Sequence, residues 1–208
     1  MNQANNLNKD TVIKEVINFF SDDFKIISLA ENARSFYHWA RVLAILGSCF
    51  PMFGSMGQEL AMGLGIAIGS LSHTKKKTIV ITGDGSFLAN TNSLFTCAFF
   101  KPKNLIVILF DNEKHLVTGG QPSASKLTDL CKFAESCLFK SFFVKTQPEL
   151  KNALALLKKS AGPHFLQVKI NDEKATTENI LELPPLLFSR FSNYIISSYG
   201  KNKKISSR

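Results

Sequence analysis

Two uninterrupted apolar runs, Thr78-Ile-Val-Ile-Thr82 and Leu105-Ile-Val-Ile-Leu-Phe110, constrain this chain more than any other feature. Neither alternates polar with apolar residues, so neither suits a strand with one wet face. Strands that are apolar throughout belong to parallel sheets covered on both faces. Around them, helical and extended patterns take turns. Val12, Ile13, Val16, Ile17 and Phe20 recur at helical spacing and predict an amphipathic helix over residues 11–20. A short strand is expected from Phe24, then a polar turn at Glu31-Asn32-Ala33-Arg34-Ser35 and a helix from Tyr37 to Leu46. A small-residue helix follows from Gln58 to Leu71, and another from Thr91 to Phe100. Beyond the second apolar run, helices near 126–138 and 148–160 alternate with strands at 141–145 and 165–170. This alternation is the mark of an α/β domain, doubly wound, with a mainly parallel sheet flanked by helices. The expected organisation is a polar tail at 1–10, the domain at 11–184, a terminal helix at 185–199 after Pro184-Pro185, and a basic tail at 200–208.

Charge invites a nucleic-acid reading and its distribution removes it. The net charge is +9, but Lys201, Lys203, Lys204 and Arg208 crowd into the last residues. No basic stripe interleaved with aromatics occurs, and no zinc-finger or RNA-binding signature, so no nucleic-acid partner is expected. The four cysteines form no C-x-x-C pair, and reduced thiols in a cytoplasmic protein are the expectation. The most membrane-like stretch, Val42 to His73, has Glu59 as its one charge. It is broken by Pro51 and a series of glycines, which fits a turn and a tightly packed buried helix better than a span. No membrane association is expected.

In open α/β sheets ligands bind at the carboxyl ends of strands. Both apolar runs end in oxygen donors: Gly83-Asp84-Gly85-Ser86 after the first, Asp111-Asn112 after the second. One strand–helix–strand unit separates them, so the two loops are expected side by side. An Asp between two glycines lets backbone and carboxylate approach an ion closely. Mg²⁺ typically takes one or two carboxylates together with phosphate oxygens and water. Ser86 opens a segment whose N–H groups suit a phosphate. The residues alone therefore point to a Mg²⁺–diphosphate site, whereas a G-D-G by itself would read as a turn.

These residues also carry a resemblance. GDGS at 83–86 followed by LIVILFDN at 105–112 resembles the thiamine-diphosphate motif, with Gly54-Ser-Met-Gly57 ahead of it in the expected order. Together with GDGSFLAN and TGGQPS at 118–123, the chain is most similar to the diphosphate-binding (PP) domain of phosphonopyruvate decarboxylases and of the sulfopyruvate decarboxylase β subunit, across roughly residues 12–198. The resemblance implies thiamine diphosphate and Mg²⁺ as cofactors. Asp84, Asn112 and the Lys114 main-chain carbonyl would hold the metal, and Gly83, Gly85 and Ser86 the diphosphate. Gly54, Ser55 and Met56 would meet the aminopyrimidine, with Met56 as the wedge under the bent cofactor. Asn32 and Ser35 sit where relatives place a phosphate loop, although the Thr-Gly pair of that loop is missing here.

Two departures stand out: relatives usually place Gly after the metal-binding Asn and an aromatic two residues on, where this chain has Glu113 and His115. Glu113 is expected to crowd the loop or add charge near the metal. His115 is a candidate proton-transfer group, since imidazole titrates near neutrality, or else an ordinary loop histidine. Arg34, Arg41 and Lys126 are candidates for an anionic substrate head group or plain surface charge. The resemblance further implies a two-domain enzyme whose second (PYR) domain supplies an activating Glu, and no Glu of this chain stands in such a context. The expected function is thus the PP subunit of a hetero-oligomeric 2-oxo acid decarboxylase, inactive alone, with phosphonopyruvate the first substrate and sulfopyruvate the second. Another thiamine-dependent carboligase or oxidoreductase subunit, or a non-catalytic assembly protein, are the alternatives.

Overall fold

The computed structural model describes residues 7–27, 30–171 and 178–199. Helix α1 (Lys9–Phe19) is capped by Asn8, whose Oδ1 accepts from the N–H groups of Asp10 at 2.8 Å and Thr11 at 3.4 Å. Such a cap contributes about 1 kcal/mol. Strand β1 (Phe24–Ile27), helix α2 (Ala30–Val42), strand β2 (Cys49–Pro51) and helix α3 (Glu59–Ser70) follow, then β3 (Thr78–Gly83), α4 (Asp84–Ala89), α5 (Asn92–Phe100) and β4 (Leu105–Asp111). A two-stranded ribbon, β5 (Lys114–His115) and β6 (Gln121–Pro122), leads to α6 (Leu130–Ser136), β7 (Lys140–Val144), α7 (Gln147–Lys159), β8 (His164–Lys169) and α8 (Pro184–Ser198).

Six strands form one parallel sheet in the order β2-β1-β3-β4-β8-β7. Because successive side chains of a strand point to opposite faces, each apolar strand feeds two cores. Ile79, Ile81, Ile106, Ile108 and Phe110 pack on one face with α1, α2 and α7. Val80, Leu105, Val107 and Leu109 pack on the other with α3, α5, α6 and α8. The small residues of α3 serve this packing: a Cβ at Gly63 would lie 2.2 Å from Val80 Cγ2.

After β1 the chain passes to the first face through α2, and after the adjacent β3 it passes to the second through α4 and α5. The β1/β3 boundary is therefore the topological switch point, where such sheets open a crevice at their carboxyl edge.

Two expectations are corrected. Residues 31–35 are not a turn but lie in α2; Ala33, Phe36 and Ala40 form a buried stripe at helical spacing, and this overrides the local polarity. The N-terminal segment joins the fold before residue 11: Leu7 is buried, pairs in a parallel bridge with Ile170, and its carbonyl accepts from Asn171 N–H at 3.1 Å. Helix α8 buries Leu187 and returns Phe191 to the second core. All four cysteines carry free thiols. Among the described residues no helix is long and apolar enough to cross a membrane. The basic tail lies outside the described residues.

Candidate cofactor site

A cavity of about 140 Å³ opens at the switch point. Its polar wall is Gly83, Asp84, Gly85 and Ser86 from the end of β3 and the start of α4, facing Asn112, Lys114 and His115 beyond β4. The strand register explains this juxtaposition. Gly83 pairs with Phe110, so Asp84 and the residues after Phe110 emerge together. Asn32 at the start of α2 stands beside Gly83 in the lining, and Phe110, Ile170, Leu116 and Val117 supply apolar surface. His115 packs directly on Gly85, where a Cβ would lie 2.5 Å from its Nδ1, and at 83 a Cβ would stand 3.2 Å from Asn32 Nδ2.

Asp84 is buried and densely held. Its Oδ2 accepts from the hydroxyls of Ser123 and of Ser125, the latter at 3.1 Å. Ser125 also bonds Asp111 Oδ1 at 2.8 Å, and Gln167 Nε2 donates to Asp111 Oδ2 at 2.8 Å. Burial pushes the Asp84 carboxyl above the usual carboxylate range and neighbouring Asp111 adds to this, while the serine hydroxyls pull it back. A desolvated acid beside a second acid is a place where a cation relieves an electrostatic cost. Asn112 Oδ1 accepts from Lys114 N–H at 3.1 Å, which folds the loop back over the cavity. Among the described residues no cluster of three His, Cys, Asp or Glu exists. A metal here would therefore be held by a mixed set of carboxylate, amide and carbonyl oxygens, the chemistry that suits a hard cation sharing phosphate oxygens.

The segment carrying Gly54, Ser55 and Met56 is tied to this wall. Ser86 Oγ accepts from Gly57 N–H at 2.9 Å. Gly57 has φ +81° and leaves no room for a side chain, since a Cβ would meet Asn90 Cβ at 2.8 Å. Met56 lines the cavity and is 46% exposed.

The remaining candidates are placed differently. Gly54 is not part of the lining, and Ser55 borders an adjacent apolar hollow with Phe50, Met52 and Phe53. Ser35 is buried within α2, away from the cavity lining, because the segment is helical rather than a loop. Glu113 adopts φ +60°, the left-handed conformation that glycine favours. Its carboxylate turns into a neighbouring groove to pair with Lys169 at 2.5 Å, so it does not add charge to the cavity. Arg34 and Arg41 line a separate groove on α2, where Arg34 donates to Asn179 Oδ1 at 3.0 Å. Lys126 is exposed. Among the described residues, the cationic ones that line the cavity are Lys9 and Lys114.

The description "Thiamine pyrophosphate enzyme, C-terminal TPP binding domain" belongs to the family whose profile matches residues 29–168. The chain belongs to that family. Its matched segment runs from the end of β1 to β8 and so contains the switch point and nearly all of the cavity. The thiamine pyrophosphate-binding domain is 32% identical over 146 residues to the sulfopyruvate decarboxylase β subunit of Methanococcus maripaludis, covering 70% of this chain and 77% of that one. It is 35% identical over 122 residues to phosphonopyruvate decarboxylase of Streptomyces viridochromogenes, covering 58% of this chain and 30% of that one. The crystal structure of benzoylformate decarboxylase from Polynucleobacter necessarius superposes with a TM-score of 0.65 at 17% identity, over 84% of this chain and 34% of that one. That likeness establishes the fold. The chain thus spans about a third of the length of these phosphonopyruvate and benzoylformate decarboxylase chains.

Proposed function

We propose that this chain is the diphosphate- and metal-binding half of a hetero-oligomeric 2-oxo acid decarboxylase, converting phosphonopyruvate or sulfopyruvate to the aldehyde and CO₂. The observation that carries the reading is the convergence of Asp84, Asn112 and Lys114 from adjacent strand ends on one cavity, with Gly85, Ser86 and Met56 around it. Relatives bearing both substrate names support the reaction class. The alignment covers 77% of a chain named as a β subunit but 30% of the longer phosphonopyruvate decarboxylase chain, which supports assigning the activating Glu to a PYR-type partner chain. No described feature calls for a membrane, and a cytoplasmic setting goes with the reading.

When bound, thiamine diphosphate supplies the nucleophile and the electron sink for loss of CO₂. The chain's residues orient it. Asp84 and Asn112 side-chain oxygens and the Lys114 carbonyl would hold Mg²⁺, while Gly83, Gly85 and Ser86 would receive the diphosphate, with Asn32 beside Gly83. Met56 would form the ring side, with Gly54 and Ser55 in the segment behind it. Glu113 occupies the usual glycine position with its carboxylate on Lys169 rather than in the cavity, which counts against one of the two departures, Glu113 and the 31–35 segment, that favour a non-catalytic assembly protein. His115, packed on Gly85, holds or moves a proton within the cavity.

The test is isolation of the untagged protein with its native partners, followed by assay of CO₂ release from both 2-oxo acids. A co-purifying chain of similar size and Mg²⁺-dependent turnover are expected. An assembly of this chain alone, or a complex indifferent to thiamine diphosphate, would sink the proposal.

A further inference from the structure

The two helical layers present different faces to solvent. Helix α7, over the first core, buries Leu150, Ala153, Leu154 and Leu157 and turns Lys151, Lys158 and Lys159 outward. Over the second core, α5 has no charged residue in its whole length. It buries Leu94 and Cys97, yet its outer side carries Phe95, Phe99 and Phe100, which are 60%, 81% and 52% exposed. A helix that is apolar all round belongs inside a larger structure. At about 200 Å² per ring, the three phenylalanines leave roughly 400 Å² uncovered. That is the size of patch that marks an interaction site, and about half of one partner's share of a standard interface.

Helix α3 packs beside α5 and extends this face. Ile68 near its end and Leu71 just beyond it are exposed. Ala61, Gly65 and Gly69 are also exposed, and their four-residue spacing puts them on one line along the helix. Glycine weakens a helix interior, so each such position asks for a packing reason. Gly63 has one in Val80. Gly65 and Gly69 have none among the described residues, since a Cβ at either would meet no atom within 4 Å. A bare lane beside a ridge of phenylalanines has the shape that receives another helix at close range. Where α3 and α5 run out, the exposed charges are the cations Lys75, Lys101 and Lys103. A second copy of this chain would bring a further net +9, whereas an acidic chain complements those lysines.

We propose that the α3–α5 face is the docking surface for the partner chain of the assembly. The partner lays an apolar helix along the Ala61–Gly65–Gly69 lane, against Phe95 and Phe99, and sets carboxylates opposite the lysines at its end. The inference rests on the hetero-oligomeric reading above and adds where the two chains meet.

The experiment is sedimentation velocity and equilibrium titration of the full chain, alone and with the chain that co-purifies with it from the native host. Gly65→Leu combined with Gly69→Leu fills open space in the free chain, so its melting temperature should hold or rise. Phe99→Glu alters a side chain that already stands in water. Wild type should be monomeric alone and should bind the co-purified chain. The double leucine variant and Phe99→Glu should each bind it roughly 100-fold more weakly, and Lys101→Glu with Lys103→Glu about tenfold more weakly. Should the leucine variant fail to fold, Phe99→Glu decides alone. Wild-type affinity in Phe99→Glu and the leucine variant overturns this face while leaving the half-enzyme reading intact, and wild-type affinity in the lysine variant overturns the acidic partner. A wild-type dimer that Phe99→Glu dissolves gives the face to a second copy. Binding to phosphatidylserine–phosphatidylcholine vesicles, lost in the same variant, gives it to a membrane; either result overturns the proposal. A wild-type chain that co-purifies with nothing and stays monomeric overturns the hetero-oligomeric reading and this inference together.

Discussion

The two edges of the central sheet use polar residues in opposite ways. At the amino edge, buried polar groups are turned on the chain itself. Lys25 is fully buried, and its Nζ donates to the Ser21 carbonyl at 2.9 Å, the Asp23 carbonyl at 2.8 Å and the Ser48 hydroxyl at 2.9 Å. His164 Nε2 meets Ser160 Oγ at 2.9 Å, and Lys77 Nζ donates to the Ser160 carbonyl at 2.7 Å. At the carboxyl edge, Asp84, Asn112, Lys114 and His115 line an open cavity instead. One edge seals turns; the other collects donors around a space. Damage to the first should therefore cost stability, and damage to the second should cost binding.

The largest effect expected is at Asp84. Asp84→Asn removes a charge that burial disfavours, so the melting temperature should hold or rise. Affinity for Mg²⁺ with thiamine diphosphate should fall by about 100-fold or more, which at 1.4 kcal/mol per decade is about 3 kcal/mol. Calorimetric titration beside a melting curve checks both halves, and a large drop in melting temperature would break the contrast.

At the amino edge the matching experiment uses pH. Burial, with Lys77 and Lys140 nearby, lowers the His164 pKa to about 4 from 6.5. The unfolded chain then takes up a proton that the folded one resists. The contribution of neutral His164 is complete above about pH 6.5 and is lost as pH falls toward 4. That loss amounts to at most about 3 kcal/mol at 1.36 kcal/mol per pH unit. Urea unfolding at pH 7 and pH 4.5 should show the difference, and His164→Phe should shrink it.

Smaller effects sharpen the picture on the carboxyl side. Ser123→Ala combined with Ser125→Ala leaves Asp84 without its orienting hydroxyls. Metal affinity, followed by Mn²⁺ titration, should weaken roughly tenfold, about 1.4 kcal/mol, and threonine at both positions should restore most of it. Least of all is expected from Glu113→Gly. Relief of a left-handed non-glycine residue, about 1 kcal/mol, offsets loss of a partly exposed ion pair of similar worth. Its melting temperature and Mg²⁺ affinity should both stay close to wild type.

The strands flanking the site were legible because an apolar run has little choice of environment. Thr78–Gly83 and Leu105–Asp111 extend the expected strands by one residue each, and their polar ends pointed to the cavity. What escaped was chemistry assembled by contact rather than by spacing. Ser123 and Ser125 look like any loop hydroxyls until folding brings both onto Asp84, and Gln167 becomes a partner of Asp111 through the β4–β8 register. Lys9 was hidden because its place depends on a bridge between Leu7 and Ile170, residues far apart in the sequence. The segment at 31–35 misled because local polarity speaks louder in a string than a buried stripe of Ala33, Phe36 and Ala40.

The bond from Gly57 N–H to Ser86 Oγ has a consequence for ligand choice. It joins, at the cavity's rim, two crossover connections whose helices α3 and α5 already share the second core, and so makes the span between the Met56 side and the Asp84 side a fixed gauge. Under the cofactor reading, a molecule entering here is sized before it is recognised. Analogues altered in ring chemistry should still seat, whereas those lengthened by one methylene between ring and diphosphate should not.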